Sequence, residues 1–180
     1  MTDTQMDRAT CLVVMGPAGV GKTTTAAGLA EMLAWPYAEA DEFHPAANIA
    51  KMESGTPLDD ADRAPWLASI RDWISAEARA GRSTVVTCSA LKRSYRDLLR
   101  EADARVRFVC LTATPDLVGR RMATRQGHFM PVSLLKSQFD TLEPLQVDED
   151  GIVVSVDLPA DEVVATALRA LRLKPAPERD

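Results

Sequence analysis

Gly16, Gly21, Lys22 and Thr23 stand at the spacing that holds a nucleoside triphosphate. The run Gly16-Pro17-Ala18-Gly19-Val20-Gly21-Lys22-Thr23 offers glycine, four free positions, glycine, lysine and threonine, the pattern of a phosphate-binding loop. Glycines open backbone conformations closed to other residues, so successive N–H groups can turn inward around a β-phosphate at the mouth of a helix. Lys22 would then reach the β- and γ-phosphates, and Thr23 would offer its hydroxyl to Mg²⁺. Pro17 supplies no N–H, so the cradle falls to its neighbours Ala18, Gly19 and Val20. Thr24 opens the Ala- and Leu-rich stretch to Leu33, read as a helix whose N-terminal dipole faces the phosphates.

A second set of chemically apt residues follows. Glu39 and Asp41 are two apart, on one face if the chain is extended. Asp41 is the candidate base or orienting group: a hydroxyl attacking a γ-phosphorus must lose its proton, and a carboxylate in reach can take it. Asp is also a favoured helix cap, which is the bland alternative for Asp41 and the preferred reading for Glu42. Lys92 and Arg96 lie four apart, a spacing that shares a helix face and could grip a carboxylate substrate. Arg93 reads as a solvated neighbour. No carboxylate stands there to orient Mg²⁺, so the metal would rest on Thr23 and water, with Glu39 or Asp41 as a further candidate. Arg120, Arg121 and Arg125 precede Gln126-Gly127-His128-Phe129-Met130-Pro131. Arg121 and Arg125 share a helical face and read as a lid that neutralises charge on the transferring phosphoryl and shuts out water.

These residues need a scaffold that presents them together. Cys11–Met15, Tyr37–Ala40, Thr84–Thr87, Val106–Leu111 and Ile152–Val156 are short apolar runs separated by helical patterns, which predicts a five-stranded parallel α/β sheet. Such sheets bind ligands beyond the carboxyl ends of their strands, where the polar residues fall. Trp66, Leu67, Ile70, Trp73 and Ile74 recur at helical spacing as a buried stripe, as do Val163, Val164, Ala167, Leu168 and Leu171. The loop Asp157-Leu158-Pro159 is the expected place for adenine on positional grounds.

The 180 residues are 46% hydrophobic and 26% charged, enough for one domain with a real core. Its expected limits are residues 11–173, with a lid at about 117–143, a flexible N-terminus at 1–10 and a loose tail at 174–180. No apolar run approaches the roughly 20 residues that span a bilayer, and the first ten are polar, so a cytosolic location without membrane contact is expected. A net charge of −5 disfavours a nucleic-acid surface. Cys11, Cys88 and Cys110 fall in or beside strand runs without zinc-like pairing and read as core thiols.

The blocks taken together resemble the gluconate kinases: the phosphate loop, Glu39-Ala40-Asp41 with His44-Pro45, Asn48-Ile49 with Lys51-Met52, Ser54-Gly55-Thr56-Pro57-Leu58, Asp60 and Asp62-Arg63 before Pro65-Trp66-Leu67, Cys88-Ser89-Ala90-Leu91-Lys92 with Tyr95-Arg96, and Arg125 with Gly127-His128-Phe129. The resemblance covers about Leu12 to Leu171. It implies an ATP-dependent kinase that makes 6-phosphogluconate, with a nucleoside-monophosphate-kinase-like fold, a helical lid and a homodimer. By that likeness Asp41 meets the sugar hydroxyl, His44, Lys51, Arg63, Lys92 and Arg96 serve the gluconate side, and Arg121 and Arg125 serve the lid. Ala40 stands where the family commonly has Gly, and Pro17-Ala18-Gly19-Val20 replaces a frequent Val-Ser-Gly-Ser. Gln138 and Glu143 lie in a family-like stretch and are given no catalytic role. Charge alone calls only for a small anion, so a kinase for another metabolite such as shikimate stays open, as does a nucleotide-dependent switch that hydrolyses ATP without an acceptor.

Overall fold

Strand β1 (Thr10–Met15) decides the architecture, because its residues from Cys11 to Met15 have no solvent exposure at all. A strand that apolar on both faces must lie mid-sheet with helices above and below. In the computed structural model, which describes residues 8–124 and 132–178, it does. β2 (Tyr37–Glu39), β3 (Thr84–Thr87), β4 (Arg105–Thr112) and β5 (Gly151–Ser155) complete a sheet of order β2-β3-β1-β4-β5 with every pair parallel. Val13 sits in register with Val86 on one side and Phe108 on the other.

Alternation along β1 divides the core in two. Cys11, Val13 and Met15 pack with Trp66, Leu67, Ile70 and Ile74 of α3 (Asp60–Arg79) and with Tyr95 and Leu99 of α4 (Arg93–Arg100). Leu12 and Val14 face Ala26 and Leu29 of α1 (Lys22–Leu33) and Val163, Ala167 and Leu171 of α7 (Ala160–Leu171). Both helical stripes expected from spacing are therefore core, with Trp73 partly buried. The remaining helices are α2 (Ala46–Glu53), α5 (Pro115–Ala123) and α6 (Val132–Thr141). Asp59 and Asp62 close a reciprocal capping box at the start of α3. Among the described residues no helix is long and apolar enough to cross a membrane.

Three sequence expectations change. Thr10 is already part of β1, pairing with Arg105 and donating its N–H to Ser83 Oγ at 3.0 Å. The expected loose tail is tied down as far as Ala176, whose N–H donates to Met32 O at 2.8 Å. β2 stops at Glu39 and the chain enters a 3₁₀ turn over Ala40–Phe43, so Glu39 and Asp41 do not share a strand face.

Arg96 is the largest correction. Rather than gripping substrate, it is wholly buried. Its Nε and Nη2 donate to the Glu149 carboxylate at 2.6 and 3.2 Å, and the other N–H groups go to the carbonyls of Ala90, Leu91 and Pro144. All five donors of the guanidinium are thereby used. Nor does Lys92 share its helix face, because Lys92 is the extended N-cap residue of α4.

Burial alone would push the Glu149 carboxyl up, but hydrogen bonds from Arg96 and from the Gln146 N–H outweigh it and hold the group below its ordinary 4.5. The stability this contributes is full above pH 4.5 and is lost as pH falls through the lowered value. Arg96→Met, which strands a buried carboxylate, is expected to cost ~3–5 kcal/mol, with much of that recovered in Arg96→Met/Glu149→Leu. Urea denaturation at neutral pH checks both, and a double variant no more stable than the single one contradicts the charge-pair account.

Candidate active site

The phosphate loop leaves β1 in the middle of the sheet and ends at the first turn of α1. Gly16 has φ 140°, and a Cβ there would lie 2.8 Å from the Leu111 carbonyl oxygen, so only glycine fits. Gly21, at φ 91°, is the N-cap of α1 and provides no side chain to cap it. The first N–H groups of the helix thus remain for a ligand. Lys22 folds back over the loop, its Nζ donating to Gly16 O at 3.0 Å and Pro17 O at 2.9 Å. Burial pushes its ammonium below the usual lysine range, while Cys88, Asp41 and Glu39 pull it back up. Lys22 therefore sits within electrostatic reach of Glu39, the last residue of β2, and of Asp41 just beyond it.

One flank of the loop is a cavity of about 320 Å³ lined by Gly19, Gly21, Thr24, Arg121, Val156 and Leu158, among others. Arg121 lies on α5 and donates from Nη2 to Val156 O at 2.8 Å, holding the turn after β5 against the cavity. Leu158, from the loop expected to meet adenine, is in the wall, whereas Asp157 lines a different depression. Arg120 is exposed, and Arg125 lies outside the described residues.

The other flank carries the residues after β2 and β3. Asp41 projects into solvent with 94% of its side chain exposed, and Oδ1 lies 4.0 Å from His44 Nε2. Neither Asp41 nor Glu42 caps a helix, since the 3₁₀ turn and α2 both lack a side-chain cap. His44 stacks on Trp66, with ring centroids 4.4 Å apart and planes 13° from parallel. Trp66 is fixed in turn by its Nε1–H to Ala40 O at 2.7 Å. Asn48, which also donates to Asp62 O at 2.9 Å, places its amide nitrogen 3.4 Å from His44 Nδ1. An amide nitrogen can only donate, so Nδ1 accepts and the ring proton is on Nε2, toward Asp41. Burial lowers the His44 pKa, with Asp41 opposing and Arg63 assisting, so the imidazole is a neutral donor at pH 7.

Beyond His44, the cations are already paired. Asp60 accepts from Lys92 Nζ at 3.1 Å and from the Tyr95 hydroxyl at 2.5 Å, with Arg63 Nη1 3.9 Å away. Arg63 also donates to the Tyr95 oxygen at 3.2 Å. Lys51 pairs with Asp62 at 2.8 Å. Of the residues expected on the acceptor side, His44, Arg63 and Lys92 form one neighbourhood, Lys51 sits at its edge, and Arg96 is not in it.

Glu39 and Thr23 are the sequence candidates for Mg²⁺. Both Glu39 oxygens are engaged, one by the Tyr37 hydroxyl and the other by Thr87 Oγ1, so Glu39 is not an open ligand. Thr23, exposed on the first turn of α1, suits an ion that keeps most of its waters and arrives with phosphate oxygens. Among the described residues no group of three His, Cys, Asp or Glu side chains could hold a metal by itself.

Sequence reasoning missed Asn48, Asp60, Tyr95 and Gln138 as contributors. Asn48 had a signal in its i, i+4 spacing from His44, and Asp60 in its i, i+3 spacing to Arg63. Gln138 stood out only as part of a family-like stretch, since its Oε1 accepts the Ala18 N–H at 2.6 Å across 120 residues of chain and no local spacing marks that contact.

The match to a family model described as an AAA domain covers residues 12–145. A gluconokinase of Gluconobacter oxydans is 50% identical over 158 residues, 88% of this chain and 89% of that protein. Among solved structures, an unliganded sugar kinase from Janibacter superposes with a TM-score of 0.85 at 49% identity, covering 92% of this chain and 95% of that one. A gluconokinase from Sinorhizobium meliloti gives 0.81 at 42% identity, covering 92% and 93%. With half of its residues shared with a gluconokinase over 88% of its length, and a sheet order and phosphate loop to match, the chain belongs to the gluconokinase family.

Proposed function

We infer that the protein transfers the γ-phosphoryl group of ATP to the 6-hydroxyl of D-gluconate, giving ADP and 6-phosphogluconate. The observation that carries the reading is the position of Asp41, an open carboxylate within electrostatic reach of Lys22. It stands between a triphosphate loop on one side and a donor-rich acceptor neighbourhood on the other. Kinship with gluconokinases supports the choice of acceptor. A cytosolic homodimer belongs to the same reading by kinship.

In this mechanism the triphosphate lies along Gly16–Thr23 with its base in the cavity beside Arg121 and Leu158. The backbone N–H groups at the start of α1 and the Lys22 ammonium meet the phosphates. Mg²⁺, held at Thr23 and on phosphate oxygens, would neutralise charge on the β- and γ-phosphates. Asp41 accepts the proton of the acceptor hydroxyl as its oxygen forms a bond to the γ-phosphorus. The bond from that phosphorus to the β–γ bridging oxygen breaks, and the electron pair leaves with ADP. His44, a neutral Nε2–H donor held by Trp66 and Asn48, orients Asp41 or a substrate oxygen. Arg63 and Lys92 offer positive charge for the sugar-acid carboxylate. Helices α5 and α6 form the arms of the proposed lid; the Arg125 contribution assigned to it lies on a residue outside the described ones.

An ATP-consumption assay over gluconate, other sugar acids, shikimate and nucleoside monophosphates tests the acceptor, with turnover expected on gluconate alone. ATP hydrolysis without any acceptor would instead favour a nucleotide switch. Asp41→Asn is expected to lower kcat about 10²–10⁴-fold, while ATP affinity measured by calorimetry stays close to that of the parent. Near-normal turnover would remove Asp41 as the base. Lys22→Ala is expected to lose both turnover and much of the ATP affinity, because its ammonium touches the phosphates directly. An unchanged dissociation constant would refute that role.

A further inference from the structure

The peptide unit between Pro17 and Ala18 is held from both ends. Its carbonyl accepts from Lys22 Nζ at 2.9 Å, and its N–H donates to Gln138 Oε1 at 2.6 Å. A phosphate-loop lysine serves the β- and γ-phosphates, so the peptide that Lys22 touches marks the γ end of the donor site. Gln138 reaches that end from α6, far away in sequence and outside the loop, its helix and the acceptor residues.

We propose that Gln138 is a positioning residue for phosphoryl transfer, fixing the Pro17–Ala18 peptide beside the γ-phosphate. The inference rests on the reading of Gly16–Thr23 as a triphosphate site. When Lys22 turns to the phosphates, the Pro17 carbonyl loses its partner, and this segment includes a proline with no N–H of its own and a positive-φ glycine at Gly19. Gln138 is then the contact that keeps the Ala18 N–H in place and the peptide from rotating. A carboxamide suits this position for a second reason. It accepts from the loop through oxygen and still carries two N–H donors that a phosphoryl oxygen can use, without adding charge next to a polyanion.

Gln138 is itself well anchored. The Leu142 N–H donates to the Gln138 carbonyl at 3.1 Å, and the next residue, Glu143, is clamped to the acceptor side. Its N–H donates to Leu91 O at 2.7 Å and its carboxylate accepts the Arg93 N–H at 2.7 Å. The segment 138–143 therefore grips the donor loop at one end and the loop carrying Lys92 at the other. A residue placed this way controls alignment of the reacting atoms, for which a misplacement of about 1 Å costs on the order of 10²-fold in rate.

The test uses the full chain with Gln138→Met, which keeps the volume and removes the hydrogen bonds, and Gln138→Glu, which keeps an acceptor and adds negative charge. Binding of ADP and of a non-hydrolysable ATP analogue, both with Mg²⁺, is measured by calorimetry alongside kcat, KM for gluconate and thermal melting. Gln138→Met is expected to lower kcat about ten- to a hundredfold with the gluconate KM held. Gln138→Glu is expected to weaken the triphosphate analogue about tenfold or more while leaving ADP nearly unaffected, since only the γ-phosphate meets the new charge. Unaltered kinetics, equal losses for ADP and analogue, or a fall in melting temperature that tracks kcat would overturn the proposal. If the parent enzyme is inactive on gluconate yet the two nucleotides still separate in Gln138→Glu, the role of Gln138 stands and the acceptor assignment falls.

Discussion

A guanidinium and a carboxylate without solvent access must satisfy one another or the fold fails, and the surroundings of the active site are built on that requirement at Arg96 and Glu149. Besides the carboxylate, Arg96 collects the carbonyls of Ala90 and Leu91 after β3 and of Pro144 after α6. Three separate stretches of chain thereby converge on one side chain. The convergence also holds Ala90 at φ 43°, a conformation that a residue with a Cβ adopts only when its neighbours impose it. One residue earlier, Ser89 O receives the Gly16 N–H at 3.2 Å. The ion pair is thus two short steps from the start of the phosphate loop, without touching a ligand itself.

Parallel topology does the rest of the placement. Five strands end on the same edge of the sheet, and with β1 in the centre the phosphate loop emerges between two groups of loops. Those after β2 and β3 carry Asp41, His44 and Lys92, while α5 and the turn after β5 wall the cavity beside the loop. Charge is arranged with similar economy. Asp60 pairs with Lys92 and lies 3.9 Å from Arg63, and Asp62 pairs with Lys51, so an acidic chain can present cations without leaving them bare. His44 takes no part in that balance because burial keeps it neutral.

Much of this was readable from residue order. The five strands, both core stripes and the phosphate loop are local patterns, and each appears within a residue or two of its expected limits. Interpretation failed where a side chain's direction depended on distant partners. Lys92 and Arg96 have the spacing of a helical pair, but the helix begins one residue after Lys92, and an acidic residue 53 positions beyond Arg96 draws the guanidinium inward. Glu39 and Asp41 look like strand neighbours until the 3₁₀ turn separates them. The link from Gln138 to Ala18 is a purely tertiary contact with no period or motif to announce it. The resemblance to gluconate kinases grouped residues that the fold does bring near one another, His44, Arg63 and Lys92, yet it included Arg96, whose part is to hold the walls.

Cys88 follows β3 within electrostatic reach of Lys22, a place where a thiolate would be well stabilised if water could reach it. Burial instead pushes its thiol up to about 12, does the same for Cys11, and raises Cys110 as well. Nucleophilic attack and oxidation both begin from the thiolate. A core whose thiols stay buried and protonated gives peroxide, disulfide partners and electrophiles little thiolate to attack.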